Sequence, residues 1–118
     1  MDNNQQILDN VIDALNDKKA RDIRAIDIHK LTTIAHYFVM ASGTSVTHIK
    51  ALADHVEEKL LGKGLKPLHV EGYNNAHWIL LDYSDVVVHI FHEEDRAFYN
   101  LERLWQDGKH IDVETAEI

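Results

Sequence analysis

Nine histidines and twenty acidic side chains are the residues best equipped for chemistry in this chain. The densest group is His89, His92, Glu93, Glu94 and Asp95, a set whose donor atoms suit a divalent cation. Parity argues against it. Positions 89 and 92 differ by an odd number, so on a continuous strand their side chains leave opposite faces. The other histidines (His29, His36, His48, His55, His69, His77 and His110) show no zinc-type spacing. No metal site and no cofactor are expected.

Ser42-Gly43-Thr44-Ser45 is the second candidate, because a small-residue turn before a helix can present backbone amides to a phosphate. It has neither a Walker lysine nor GxGxxG spacing, and a strand turning into a capped helix needs the same residues. The carboxylate pair Asp82 and Asp85 could hold magnesium or move protons. Asp is also a common turn residue, and no Lys, Arg or nucleophile sits nearby in sequence to complete a site. No catalytic residue is assigned. The fourth candidate is a surface rather than a site. Residues 78–83 alternate, with Trp78, Leu80 and Asp82 on one face and Ile79, Leu81 and Tyr83 on the other. Aromatics beside acids on a partly open sheet face suit docking of a protein. Burying Asp82 without a partner would be costly, so the Trp78 side is expected to be the open one.

These residues must be held by an ordinary small domain. A chain of 118 residues fits one domain with a real core. The absence of cysteine excludes disulfides, thiolate nucleophiles and cysteine metal centres, and agrees with a cytoplasmic protein. No apolar run reaches the ~20 residues that span a bilayer, and the polar start MDNNQQILDN is unlike a presequence. Twelve basic residues against twenty acidic ones give a net charge of −8. Nucleic acid is therefore not expected as the main contact, and a basic protein surface is the better match.

The organising stretch is 71–105, where residues 78–81 and 86–91 read as antiparallel strands joined by a tight turn. From about residue 94 the apolar positions recur at helical spacing, with Leu101, Leu104 and Trp105 on one stripe. Upstream, Ile7, Leu8, Val11, Ile12 and Leu15 make a helix face, with Asn3 or Asn4 as its cap. Residues 22–28 read as an edge-like strand and 37–41 (YFVMA) as a strand covered on both faces. A helix over 46–61 follows, then a strand over 68–72. The strand–helix–strand unit 37–72 implies a parallel pair, and the last three strands an antiparallel meander. The expected architecture is a mixed five-stranded sheet flanked by helices, in one domain over residues 1–105. Residues 106–118 are acidic and poor in apolar side chains, and are expected to fray.

Five segments together resemble the ribosomal silencing factor family, also called Iojap-like: LNDKKA from Leu15, YFVMASGTS from Tyr37, GLKPLHVEGY from Gly64, WILLDYSDVVVHIF from Trp78 and RAFYNLERLW from Arg96. The resemblance implies an α/β domain related to the nucleotidyltransferase fold. It implies a cytoplasmic, non-enzymatic translational repressor that binds a protein on the joining face of the large ribosomal subunit. Such a factor blocks association with the small subunit, especially in nutrient limitation, and family members also form homodimers. Taken with the strand pattern, it places partner binding on Glu71, Tyr73, Trp78, Leu80, Asp82 and Tyr83. Two positions depart from the family pattern: Ser84, where Gly is common, and Glu93, where Pro is frequent. Ser84 is expected to cost on the order of 1 kcal/mol if its φ is positive. The competing reading is a nucleotidyltransferase-like enzyme or nucleotide-binding module. It lacks a paired carboxylate, since the strand over 68–72 offers only Glu71.

Overall fold

A computed structural model describes residues 3–31, 35–94 and 109–111. In chain order the elements are α1 (Asn3–Asp17), β1 (Arg21–Asp27), β2 (Tyr37–Gly43), α2 (Val46–Leu61), β3 (His69–Glu71), β4 (Trp78–Asp82), β5 (Val86–His92) and β6 (Lys109–Ile111). One mixed sheet carries them in the order β3-β4-β5-β2-β1-β6.

The two helices share one face of the sheet. Leu8, Val11 and Leu15 of α1 meet Ile49, Leu52, Val56 and Leu60 of α2 over Val39, Ala41, Ile79, Leu81, Val88 and Ile90. The helical spacing read from the sequence is the reason: three- and four-residue steps keep each apolar set on one stripe. The period-2 alternation of the strands sends the intervening residues to the other face. There Met40, Val87, Phe91, Ile26 and Ile28 form a second cluster, flanked by Phe38, Trp78 and Leu80. β2 and β5 therefore carry apolar side chains in both directions, as continuous runs of that kind require.

Helix ends are settled locally. Lys19 takes φ 61 after α1, with Lys19 N–H on the Asn16 carbonyl and Ala20 N–H on the Leu15 carbonyl, both at 3.0 Å. This crossed pair of bonds uses carbonyls that the helix leaves open. The N-cap of α2 is Ser45, whose Oγ accepts the His48 amide at 3.0 Å. Asn3 is the first residue of α1 rather than a flanking cap.

Three expectations are corrected. β1 is no edge strand, because β2 pairs one side of it and β6 the other. Its first residues, Arg21, Asp22 and Arg24, are exposed and charged, which gives it the look of an edge. The parallel partner of β2 is β5, with Tyr37 opposite Val86 and Gly43 opposite His92. β3 runs the same way as β2 but lies two strands further out, beyond β4. Finally, the segment expected to fray supplies β6, where Ile111 pairs with Ala25 and Lys109 with Asp27. The five expected strands are thus joined by a sixth. The helix expected from residue 94 to 105, with Leu101, Leu104 and Trp105, lies outside the described residues apart from its first position.

Candidate functional site

The turn 42–45 is built for packing. A Cβ on Gly43 would come within 2.8 Å of Ile49 Cγ1, so only glycine lets α2 sit this close. The Thr44 amide donates to His48 Nδ1 at 3.0 Å, and His48 Nε2 lies 2.8 Å from the Lys18 carbonyl. With Nδ1 accepting, the ring carries its proton on Nε2 and donates it to the end of α1. That turn spends its Thr44 amide and its Ser45 hydroxyl on the protein itself.

In the hairpin one carboxylate and one backbone carbonyl are committed to local structure. Asp82 Oδ1 accepts the Ser84 amide at 2.8 Å, and Ser84 has φ 74, the left-handed conformation in which Gly is cheaper. The Asp85 carbonyl accepts the amides of His36 and Tyr37 at 2.8 and 2.9 Å, mooring the start of β2. At Glu93 the amide donates to the Gly43 carbonyl at 3.0 Å, a bond that a proline there would forgo.

The sheet face opposite the helices carries the most distinctive chemistry. Along β4 Trp78, Leu80 and Asp82 are half-buried, while Ile79 and Leu81 are fully buried on the helix side. Pairing places His89 opposite Leu80 and Phe91 opposite Trp78. His89 is thereby ringed by aromatics, with Phe38 at 4.8 Å, Trp78 at 5.8 Å and Phe91 at 6.2 Å between centroids. Trp78 Nε1 donates to His89 Nδ1 at 3.1 Å. Burial lowers the His89 pKa to about 4, so the ring is neutral at physiological pH with its proton on Nε2. That Nε2 is buried and has no hydrogen-bond partner among the described residues.

The six residues singled out for docking do not share one surface. Glu71 is exposed and pairs with Leu80, and His69 pairs with Asp82, so both border the Trp78 side. Tyr73 turns the other way. Its hydroxyl donates to Asp54 Oδ2 at 3.1 Å, and Lys50 Nζ lies 5.2 Å from its ring centroid, both on α2. Tyr83 is 6% exposed and belongs to the helix-side core, where burial first and Glu57 second push its phenol well above its usual pKa. Glu71, Trp78, Leu80 and Asp82 remain together as an acid-bordered aromatic and aliphatic face.

The whole chain, residues 1–118, matches the family described as ribosomal silencing factor during starvation. This chain belongs to the ribosomal silencing factor family. It is 37% identical over 111 residues to the ribosomal silencing factor of Halalkalibacterium halodurans, covering 94% of this chain and 95% of that one. A crystal structure of a Chromobacterium violaceum protein superposes with a TM-score of 0.84 at 36% identity, covering 96% of this chain and 95% of the other. A mouse relative, mitochondrial assembly of ribosomal large subunit protein 1, is 31% identical over 103 residues, 83% of this chain and 44% of the mouse protein. Family membership associates the silencing factor with the ribosome and with repression of translation. Its bacterial relative is named as a regulator rather than as an enzyme. No described helix is long and apolar enough to cross a membrane.

One cluster escaped the reading of the sequence. Asp27, His29 and His36 bring three ligand-type atoms within 4.8 Å of one another. Their spacing resembles no metal motif, because a connector between β1 and β2 closes it.

Proposed function

We propose that this silencing factor docks on a protein at the joining face of the large ribosomal subunit and so prevents association with the small subunit. The observation that carries this is the half-buried Trp78 and Leu80, bordered by Glu71 and Asp82, on the sheet face opposite the helices. An aromatic anchor in a ring of near-neutral contacts is the usual form of a binding hot spot. A net charge of −8 favours a basic protein partner, and ribosomal proteins that hold RNA are of that kind. The large-subunit wording in the mouse relative's name supports the choice of subunit. Repression then needs no chemistry: occupying a joining surface is sufficient. Self-association as a homodimer is a second property proposed from family membership, and light scattering on the free chain reads it.

The test is co-sedimentation of the full chain with separately purified large and small subunits, followed by an assay of subunit joining. Binding to large subunits alone, with joining inhibited at matching concentrations, is expected. Equal binding to both subunits, or joining unaffected at saturation, would overturn the reading.

A further inference from the structure

β1 ends at Asp27 and β2 begins at Tyr37, and these two residues face each other across the antiparallel pair. The register brings the flanking residues together as well. The Ile28 amide donates to the His36 carbonyl at 2.8 Å, and the His36 amide is held by the Asp85 carbonyl at 2.8 Å. The His29 amide donates to Asp27 Oδ1 at 3.1 Å. The backbone on both sides of the connector is therefore fixed by hydrogen bonds that do not involve the imidazoles.

On this frame two imidazoles converge on one carboxylate. His29 Nδ1 contacts Asp27 Oδ1, and His36 Nε2 lies 3.5 Å from Asp27 Oδ2. The two histidine rings are 4.5 Å apart between centroids, and His36 stacks on Tyr37 at 4.3 Å. Asp27 is largely screened from solvent, with 17% of its side chain exposed, while His36 has 27% and His29 47%. A carboxylate with two convergent imidazoles is thus in place.

Charge decides what this arrangement suits. Two imidazolium rings 4.5 Å apart would repel, and one carboxylate cannot neutralise both. Neutral imidazoles with the proton on the far nitrogen (Nε2 of His29, Nδ1 of His36) instead direct a lone pair each at a cation. Two nitrogens and one carboxylate oxygen match a borderline first-row divalent ion, whereas magnesium and calcium prefer oxygen. We propose that Asp27, His29 and His36 form a three-ligand site for a divalent transition cation of the zinc class.

The fit requires little movement. Bonds of about 2.1 Å at tetrahedral angles set ligand atoms about 3.4 Å apart, so side-chain rotations of roughly 1–1.5 Å close the cluster from its 4.8 Å span. His29 must also back away from Asp27 Oδ1, and as the most exposed of the three it is free to turn. Three protein ligands leave a position for water. The ion would tie the end of β1 to the start of β2, and its charge offsets part of the net −8. This inference is independent of ribosome docking, because the cluster lies at the connector between β1 and β2 and shares no residue with the Trp78 face.

Calorimetric titration of the chelator-treated full chain with zinc, in a non-coordinating buffer near neutral pH, tests it. One equivalent binding at micromolar Kd is expected, with cobalt giving a visible absorption in the same stoichiometry. Asp27→Asn, His29→Ala and His36→Gln should each weaken zinc at least tenfold, while His77→Ala leaves it unchanged. Because a variant could fold poorly, the wild-type chain supplies a second readout. Substoichiometric zinc should shift the ring resonances of His29 and His36 ahead of those of other histidines. Absence of saturable binding up to about 1 mM, equal affinity in folded Asp27 and His36 variants, or shifts centred on other histidines would each overturn the site.

Discussion

The indole Nε1 of Trp78 donates to Nδ1 of His89 at 3.1 Å, joining the half-buried anchor of the sheet face opposite α1 and α2 to a buried imidazole on the next strand. The bond fixes the tautomer of His89 and the orientation of Trp78 at once. Surface and core on this face are therefore coupled, and a change at His89 is expected to alter how Trp78 is presented.

That coupling carries a pH dependence. His89 is protonated near pH 6.5 in the unfolded chain but only near 4 in the folded one. Between those values the unfolded state holds more protons, so stability rises with pH across the window and is lost as pH falls from about 6.5 to about 4. A shift of this size corresponds to about 3 kcal/mol. Denaturant unfolding at pH 7 and 4.5, compared between wild type and His89→Leu, reads it. The variant should lack this component of the slope while keeping that of the carboxylates. Equal slopes would show that His89 titrates normally.

The hairpin offers a gain rather than a loss. Ser84 sits at φ 74, where a Cβ is unfavourable, and its amide bond to Asp82 survives substitution. Ser84→Gly relieves about 1–2 kcal/mol of backbone strain and returns part of it as unfolded-chain entropy. A net stabilisation of about 0.5–1 kcal/mol is expected, measured as a higher denaturant midpoint at unchanged slope. An unchanged or lower midpoint would show that the Ser84 side chain compensates for the strain.

Gly43 should behave in the opposite way. Gly43→Ala places a Cβ 2.8 Å from Ile49 Cγ1 and 3.3 Å from His48 Nδ1. α2 must then retreat from β2, weakening the bridge from Thr44 through His48 to Lys18. Overpacking of this kind typically costs about 1–3 kcal/mol. A midpoint within error of wild type would mean that the Ile49 side chain turns away without loss.

What was legible in the sequence was what local period determines. The runs 37–41 and 86–91 read as buried strands because β-branched and aromatic residues follow one another without polar breaks. The alternation along β4 correctly separates Trp78 and Leu80 from Ile79 and Leu81. It also puts Tyr83 on the buried side, despite its chemistry suggesting a contact residue. The antiparallel meander of β3, β4 and β5 was legible from its short connections, whereas the parallel partner of β2 was not, since its register against β5 is set by long-range packing. β6 has three residues, too few to show a period, and the charged opening of β1 hid its interior position. The cluster of Asp27, His29 and His36 was invisible for a related reason. Only the register of β1 on β2 folds position 36 back onto position 27.

The docking surface is tested by separating anchor from border. Trp78→Ala removes the indole that spans Phe91 and His89, and about 2 kcal/mol of binding is expected to go with it, roughly a thirtyfold weaker Kd for large subunits. Because Trp78 also packs on the cluster of Met40, Val87 and Phe91, folding is verified first by circular dichroism and thermal unfolding. Asp82→Lys and Glu71→Lys, nearer the rim, should act mainly on association rate and on its salt dependence. Lys63→Ala, just past the end of α2 on the helix side, serves as the control and should bind as wild type. The order of effects discriminates between surfaces. If folded Trp78→Ala and Asp82→Lys both bind and inhibit joining normally, the surface lies elsewhere, with the helices next to be scanned. Silencing itself survives that outcome, because family membership does not depend on which face meets the ribosome.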